Sequence, residues 1–212
     1  MPCPLRRTLL SRPIVWGICG LAAWGTGLFW LDAPVAAWGL AHRHDPLVRA
    51  ICQILAPLGS GIYQPALLGL ALLVSAVLRR GSAVRATAVL LVVFLVAGLL
   101  ATGLKTLVRR PRPEHAHEPR PVLETQLDSG EWHSFPSGDV LVTSALCVTL
   151  FGALGRRRRW RWILWLPVLV ALQRLGAARH YLSDVVAAGL LGYPMGALIA
   201  ARFFPSPKTG QT

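Results

Sequence analysis

Acidic residues are scarce in this chain: nine Asp and Glu stand against 22 Lys and Arg, a net charge of +13 over 212 residues. Charge of either sign is thin as well. Only 15% of the residues are charged and 54% are hydrophobic, whereas a soluble domain of this length carries about a quarter charged residues. An ordinary water-soluble domain is therefore excluded, and the abundance of apolar residues excludes a disordered chain. Four cysteines without a C-x-x-C pair argue against a disulfide scaffold, a lipid attachment or a thiolate metal site. Glycine shows no three-residue period, so a collagen-like fibre is excluded too.

The apolar residues come in blocks. About six of them approach the roughly 20 residues that cross a bilayer, which predicts an all-α, polytopic membrane bundle of about six transmembrane helices plus short interfacial helices. The first runs from Ile14 to Leu31 behind Arg6, Arg7 and Arg12, and reads as a retained anchor rather than a cleaved signal. Residues 32–60 mix apolar groups with Asp, His and Arg, as one or two short helices at the outer interface would. Further spans are expected at about Tyr63–Leu78, Thr87–Leu104, Val140–Leu154, Trp162–Leu172 and from near His180 to about Phe204. Residues 1–212 then form a single domain.

With the N-terminus cytoplasmic, the inner turns hold Arg6, Arg7, Arg12, Arg79, Arg80, Arg85, Arg156 to Arg159, Arg161, Arg202 and Lys208, which is 13 of the 22 cations. All nine acids and all six histidines fall outside. Topology and anionic lipid headgroups at the cytoplasmic face account for the basicity, so no nucleic-acid partner is expected. Any chemistry sits on the outer face.

Three segments place ionisable groups at the outer span ends, where they are expensive without partners or a task. Lys105, Arg109, Arg110 and Arg112 follow the third span, which Pro111 and Pro113 terminate. Phe135-Pro136-Ser137-Gly138-Asp139 opens the fourth, and its free backbone N–H groups make an anion site. Arg174, His180 and Asp184 precede and open the sixth, with His180 and Asp184 four apart, so that a carboxylate can hold one ring nitrogen and free the other. Fixed cations, a helix N-terminus and an oriented imidazole are equipment for holding a phosphoryl group and attacking it.

The pattern of Lys105, Arg112 and Pro113, then Pro136, Ser137 and Gly138, then Arg174, His180 and Asp184 resembles the type 2 phosphatidic acid phosphatase superfamily, related to vanadium haloperoxidases. The motifs cover residues 105–184. Two positions depart: Asp139 stands where the family has His, and Gln173 where it has Ser. The resemblance implies a membrane lipid phosphatase whose substrate is a polyprenyl diphosphate, a phosphatidate or a lipid A type phosphate. In it, Lys105, Arg112, Arg174, Ser137 and the Gly138 N–H clamp the phosphate. His180 is the nucleophile, Asp184 orients it and Asp139 takes the general-acid position. No metal or cofactor is implied. A lipid-to-lipid phosphotransferase and a non-catalytic lipid-phosphate binder are the alternatives, and the expected location is a bacterial inner membrane with both termini cytoplasmic and the site periplasmic.

Asp139 is a poor proton donor among cations, which leaves three readings: burial keeps it protonated, His133, His115 or His117 donates instead, or the leaving group needs little help. The last tilts the substrate toward a diphosphate. His42, His44, His115 and His117 form H-x-H pairs read as solvated rather than metal-bound. Trp16, Trp30, Trp160 and Trp162 read as interfacial anchors, and Gly189, Gly192 and Gly196 as close-packing positions.

Overall fold

The computed structural model describes residues 30–117 and 132–205, together with Cys19, Gly20, Ala22, Gly25 and Thr26. The first anchor and its basic flank lie almost wholly outside the described residues. So do Cys3, Glu118, Glu124, Asp128, Glu131 and Lys208.

The described chain is helical. Its elements are α1 (Asp32–His42), α2 (Pro46–Leu55), α3 (Tyr63–Val77), α4 (Gly81–Val108), α5 (Gly138–Ala153), α6 (Leu166–Gly176) and α7 (Leu182–Phe203), with a 3₁₀ stretch at Arg158–Trp165 leading into α6. The second, third, fourth and sixth expected spans overlap one helix each, while the fifth, Trp162–Leu172, is divided between the 3₁₀ stretch and α6, and the described residues do not confirm about six spans. Two helices, α4 and α7, are long and apolar enough to cross a membrane, and α2 with α3 would make a third if the pair, bent by 45°, is one span. At 16 and 11 residues, α5 and α6 rise about 24 and 16 Å, short of a hydrocarbon core of about 30 Å. The sixth helix begins at Leu182, so His180 and Tyr181 precede it.

Sequence chemistry sets the boundaries. Pro111 disfavours helical backbone at Arg110, and Arg109 closes α4 in the left-handed region at φ 50°, its N–H donating to the Lys105 carbonyl. Asp45 caps α2 by accepting from the N–H groups of Leu47 and Val48.

The core forms where α5 lies against α4 and α7, around Val93, Ala97, Ala101, Leu141, Ala145 and Ala188. Small residues let α5 and α7 approach: a Cβ added to Gly196 would meet the Ala145 carbonyl oxygen at 2.6 Å, and one on Gly152 the Ala200 Cβ at 2.5 Å. Gly192 packs in the same way. Gly189 does not, because among the described residues nothing outside its own helix backbone lies within 4 Å of a Cβ added there, and it lines a cavity of about 460 Å³ between α5, α6 and α7. Gly196→Val is expected to destabilise the bundle by about 1–3 kcal/mol, since a backbone carbonyl cannot yield, while Gly189→Ala is near neutral. Melting temperatures in detergent check the contrast.

Large apolar side chains on α3 and α4, such as Leu67, Leu70, Leu73, Leu95 and Leu99, stay exposed, as a lipid-facing surface requires. The C-terminal ends of α4 and α6 and the N-terminal ends of α1, α5 and α7 gather at one end of the bundle. Arg79, Arg80, Arg156 to Arg159 and Arg202 mark the turns and helix end that point the other way.

Candidate active site

Asp184 sits in the first turn of α7 with no exposure to solvent. It is fully engaged. One carboxylate oxygen accepts from Arg110 Nη1 at 2.6 Å, and the other from Ser134 Oγ at 2.5 Å and from the Tyr181 N–H at 2.9 Å. The last bond also caps α7, so the residue has a structural task beside any catalytic one.

The i, i+4 spacing predicts that Asp184 holds the His180 ring directly. The structure corrects this: His180 Nδ1 donates to the main-chain carbonyl of Ser134 at 2.7 Å, and Asp184 Oδ2 lies 3.8 Å away, an ion-pair separation rather than a hydrogen bond. Two causes are visible. His180 lies ahead of the helix, where the helical period does not apply, and three donors already hold the carboxylate. The result for the ring is the expected one, because an Nδ1–H that is spent on a carbonyl leaves Nε2 as the lone-pair nitrogen.

His180 is buried. Burial pushes its imidazole below the ordinary value, Asp184 opposes the shift and Lys105 adds to it. The ring therefore stays neutral, and able to act as a nucleophile, down to more acidic pH than a free histidine.

The phosphate-binding candidates converge. Gly138 opens α5 beneath the Lys105 ammonium, with a Cβ there falling 3.5 Å from Nζ. The Ser137 side chain is buried without making the usual cap, and its Oγ has no hydrogen-bond partner among the described residues. Arg112 Nε is likewise buried and unpartnered. Lys105 lies in the field of Arg112, Arg174, Asp139 and Asp184. An unfilled hydroxyl, the first N–H groups of α5 and a lysine in the field of two arginines lie at the same end of the bundle, groups of the kind that bind an oxyanion.

Asp139 pairs with Arg174, Oδ2 to Nε at 2.8 Å. His133 lies within the field of Lys105, Arg112 and Arg109, and burial together with those cations holds it below its ordinary value. His115 is instead 3.7 Å from Glu114, which also pairs with Arg43 and Arg179 at 2.5 and 3.3 Å. His42 stacks on Trp38 and its Nδ1 donates to the Trp38 carbonyl at 2.9 Å. Asp32, Ser134 and Ser183 join the site without any motif to announce them.

A histidine with one free ring nitrogen, near a lysine and a helix N-terminus at one end of an apolar helical bundle, is an arrangement that could bind and attack an anionic group. The chain belongs to the PAP2 superfamily, whose family model matches residues 86–207. The crystal structure of Aquifex aeolicus LpxE superposes with a TM-score of 0.56 at 27% identity, covering 82% of this chain and 97% of that one. Decaprenylphosphoryl-5-phosphoribose phosphatases from two strains of Mycobacterium tuberculosis are 34% identical over 108 residues, 49% of this chain and 54% of theirs. The chain spans about half the length of these relatives.

Proposed function

We propose that the protein is an integral-membrane lipid phosphatase that works through a phosphohistidine at the extracytoplasmic face. The observation that carries this reading is His180, its Nδ1 fixed by Ser134 and its ring in the field of Lys105, which itself lies in the field of Arg112 and Arg174. The Nε2 lone pair attacks phosphorus, the P–O bond to the leaving group breaks, and the electron pair departs on that oxygen. Water then cleaves the P–N bond, releasing phosphate and restoring neutral His180. Lys105, Arg112 and Arg174 supply the positive charge, so the reaction proceeds without a metal.

Membership of the family and the phosphatase names of the relatives support hydrolysis. Basic turns at the end opposite the site support a periplasmic active site with cytoplasmic termini in a bacterial inner membrane, a six-span layout, and anionic headgroups rather than nucleic acid as partners of the inner arginines.

The substrate follows from the proton donors. Asp139 is an ion-pair partner of Arg174 at 2.8 Å without hydrogen-bond geometry, and burial with the nearby cations holds His133 below its ordinary value, so neither is favoured as an acid for an alkoxide. A leaving phosphate needs little protonation, since its second pKa is about 6. The site therefore suits a lipid diphosphate. The relatives' name, with its decaprenylphosphoryl group, supports a polyprenyl tail.

Purified protein in detergent with EDTA should release phosphate from a polyprenyl diphosphate faster than from phosphatidate; the reverse order overturns the substrate assignment. Asp139→His, which restores an acid of higher pKa, should raise phosphatidate turnover by about tenfold or more and change diphosphate turnover little. Binding of both lipids without release would favour a lipid-phosphate binder.

A further inference from the structure

The connection behind Asp184 reaches α1, far away in sequence. Arg110 donates through Nη1 to Asp184 and to Ser183 Oγ, and through Nη2 to Asp32 Oδ2 at 2.7 Å. Asp32 in turn accepts from the Ser183 N–H at 2.8 Å and from Ser183 Oγ at 2.5 Å. The Arg110 guanidinium lies 3.9 Å over the Tyr181 ring. Asp32 is buried on a helix whose Gly39 packs against the Leu175 carbonyl and Ala178, on the connector that carries His180. Ala178 itself holds a left-handed φ of 52°, so α1 braces a strained turn.

The charges are uneven. Arg110 alone would cancel Asp184 and leave His180 without a net counter-charge when it becomes cationic. Two carboxylates sharing one guanidinium leave the cluster with a single net negative charge.

We propose that Asp32 and Arg110 are positioning residues of a relay, Asp32 to Arg110 to Asp184 to His180, in which Asp32 keeps the field at His180 negative and so stabilises the cationic imidazole of the phosphorylated ring. The groups acting on His180 are Asp184 from α7 and Lys105 from α4, with Arg110 and Asp32 behind Asp184. Asp139 from α5 and Arg174 from α6 pair with each other and are unchanged in the variants that test the relay.

The relay makes opposite predictions for its two ends. Asp32→Asn neutralises the cluster and should lower the His180 pKa by about one unit, the order of one added or lost charge in a largely buried setting. Arg110→Met adds net negative charge and should raise it. Asp32→Glu, which keeps the charge, should stay nearer wild type than Asp32→Asn. A merely structural role would move both ends the same way.

The titration is read by NMR on the full chain in detergent with isotope-labelled histidine, the His180 signal being identified by its loss in His180→Gln. Opposite shifts establish the relay. Shifts of one sign, or none in Asp32→Asn, overturn it, and if Arg110→Met does not accumulate folded, the Asp32→Asn and Asp32→Glu pair decides. A kinetic arm rests on the hydrolase reading above: Asp32→Asn should lower kcat about tenfold with KM unchanged. Absence of turnover in the wild type would remove that reading and leave the NMR result to decide the relay.

Discussion

His180→Ala is expected to reduce phosphate release by at least about a thousandfold in kcat, with lipid binding retained. The cradle of Lys105, Arg112, Arg174 and Ser137 does not depend on the imidazole, so the substituted protein still holds the phosphate but has nothing to attack it. The pH profile of the wild type carries the same residue's signature. Nucleophilic attack needs the neutral ring, and burial holds the His180 pKa below 6.5. The acid-side decline of the rate should therefore be centred at lower pH than for a free imidazole, where the ring takes up a proton. Steady-state kinetics between pH 4.5 and 8 with a bound-lipid control check both parts, and a decline centred above 6.5 contradicts the assignment of the limb to His180.

Asp184→Ala is expected to have the second largest effect, on stability as well as rate. The substitution removes the acceptor of Arg110, Ser134 Oγ and the Tyr181 N–H at one stroke, inside a region closed to solvent. Breaking a buried pair by deleting one partner costs about 3–5 kcal/mol, because the remaining charge is left under-compensated. Arg110 keeps Asp32 and is partly exposed, which places the expectation at the lower end, about 3 kcal/mol. Turnover should fall by about 10- to 10³-fold, because the counter-charge 3.8 Å from the His180 ring is lost while the Ser134 carbonyl still orients it. Thermal unfolding in detergent and kcat on the folded fraction separate the two losses. Asp184→Asn, which keeps the shape but not the charge, should retain more stability than activity.

What the sequence made legible follows from the range over which each feature acts. Helices appear where the apolar blocks lie, since every span needs its own contiguous run. Lys105, Ser137, Gly138, Arg174 and His180 sit at or beside helix ends, which nearby prolines and small residues mark locally. The partners that fix the site are another matter. Ser134 lies 46 residues from His180, Arg110 lies 74 from Asp184, and Asp32 lies 151 from Ser183. No periodicity reaches so far. Asp32 looked like one polar residue of an interfacial helix, and only the packing of α1 on the α6–α7 connector turns it inward. Arg110 is one of four cations in a short run, with nothing local to mark it as the one that pairs with Asp184 and Asp32. A signal did exist for it: an acid expected at the core of a cation-rich site implies a dedicated cation behind it. Gly189 was grouped with Gly192 and Gly196 by spacing, yet it points to the cavity while the other two meet α5.

Asp139 shows how a departure from a family pattern can be read. A histidine at the head of α5 would be free to donate a proton. The carboxylate instead binds Arg174, one of the expected phosphate ligands, and so constrains both the acid and the clamp. The preference for a leaving group that needs little protonation rests on that one ion pair.

The most direct measurement of the central claim is a rapid alkaline quench of the purified protein during turnover of a polyprenyl diphosphate labelled in the terminal phosphate, followed by mass spectrometry of the peptides. The account predicts a phosphoryl group on His180, stable to base and lost in acid, that forms and decays at rates matching turnover and is absent from His180→Ala. Label found on another residue, or steady release of phosphate from His180→Ala, would contradict it.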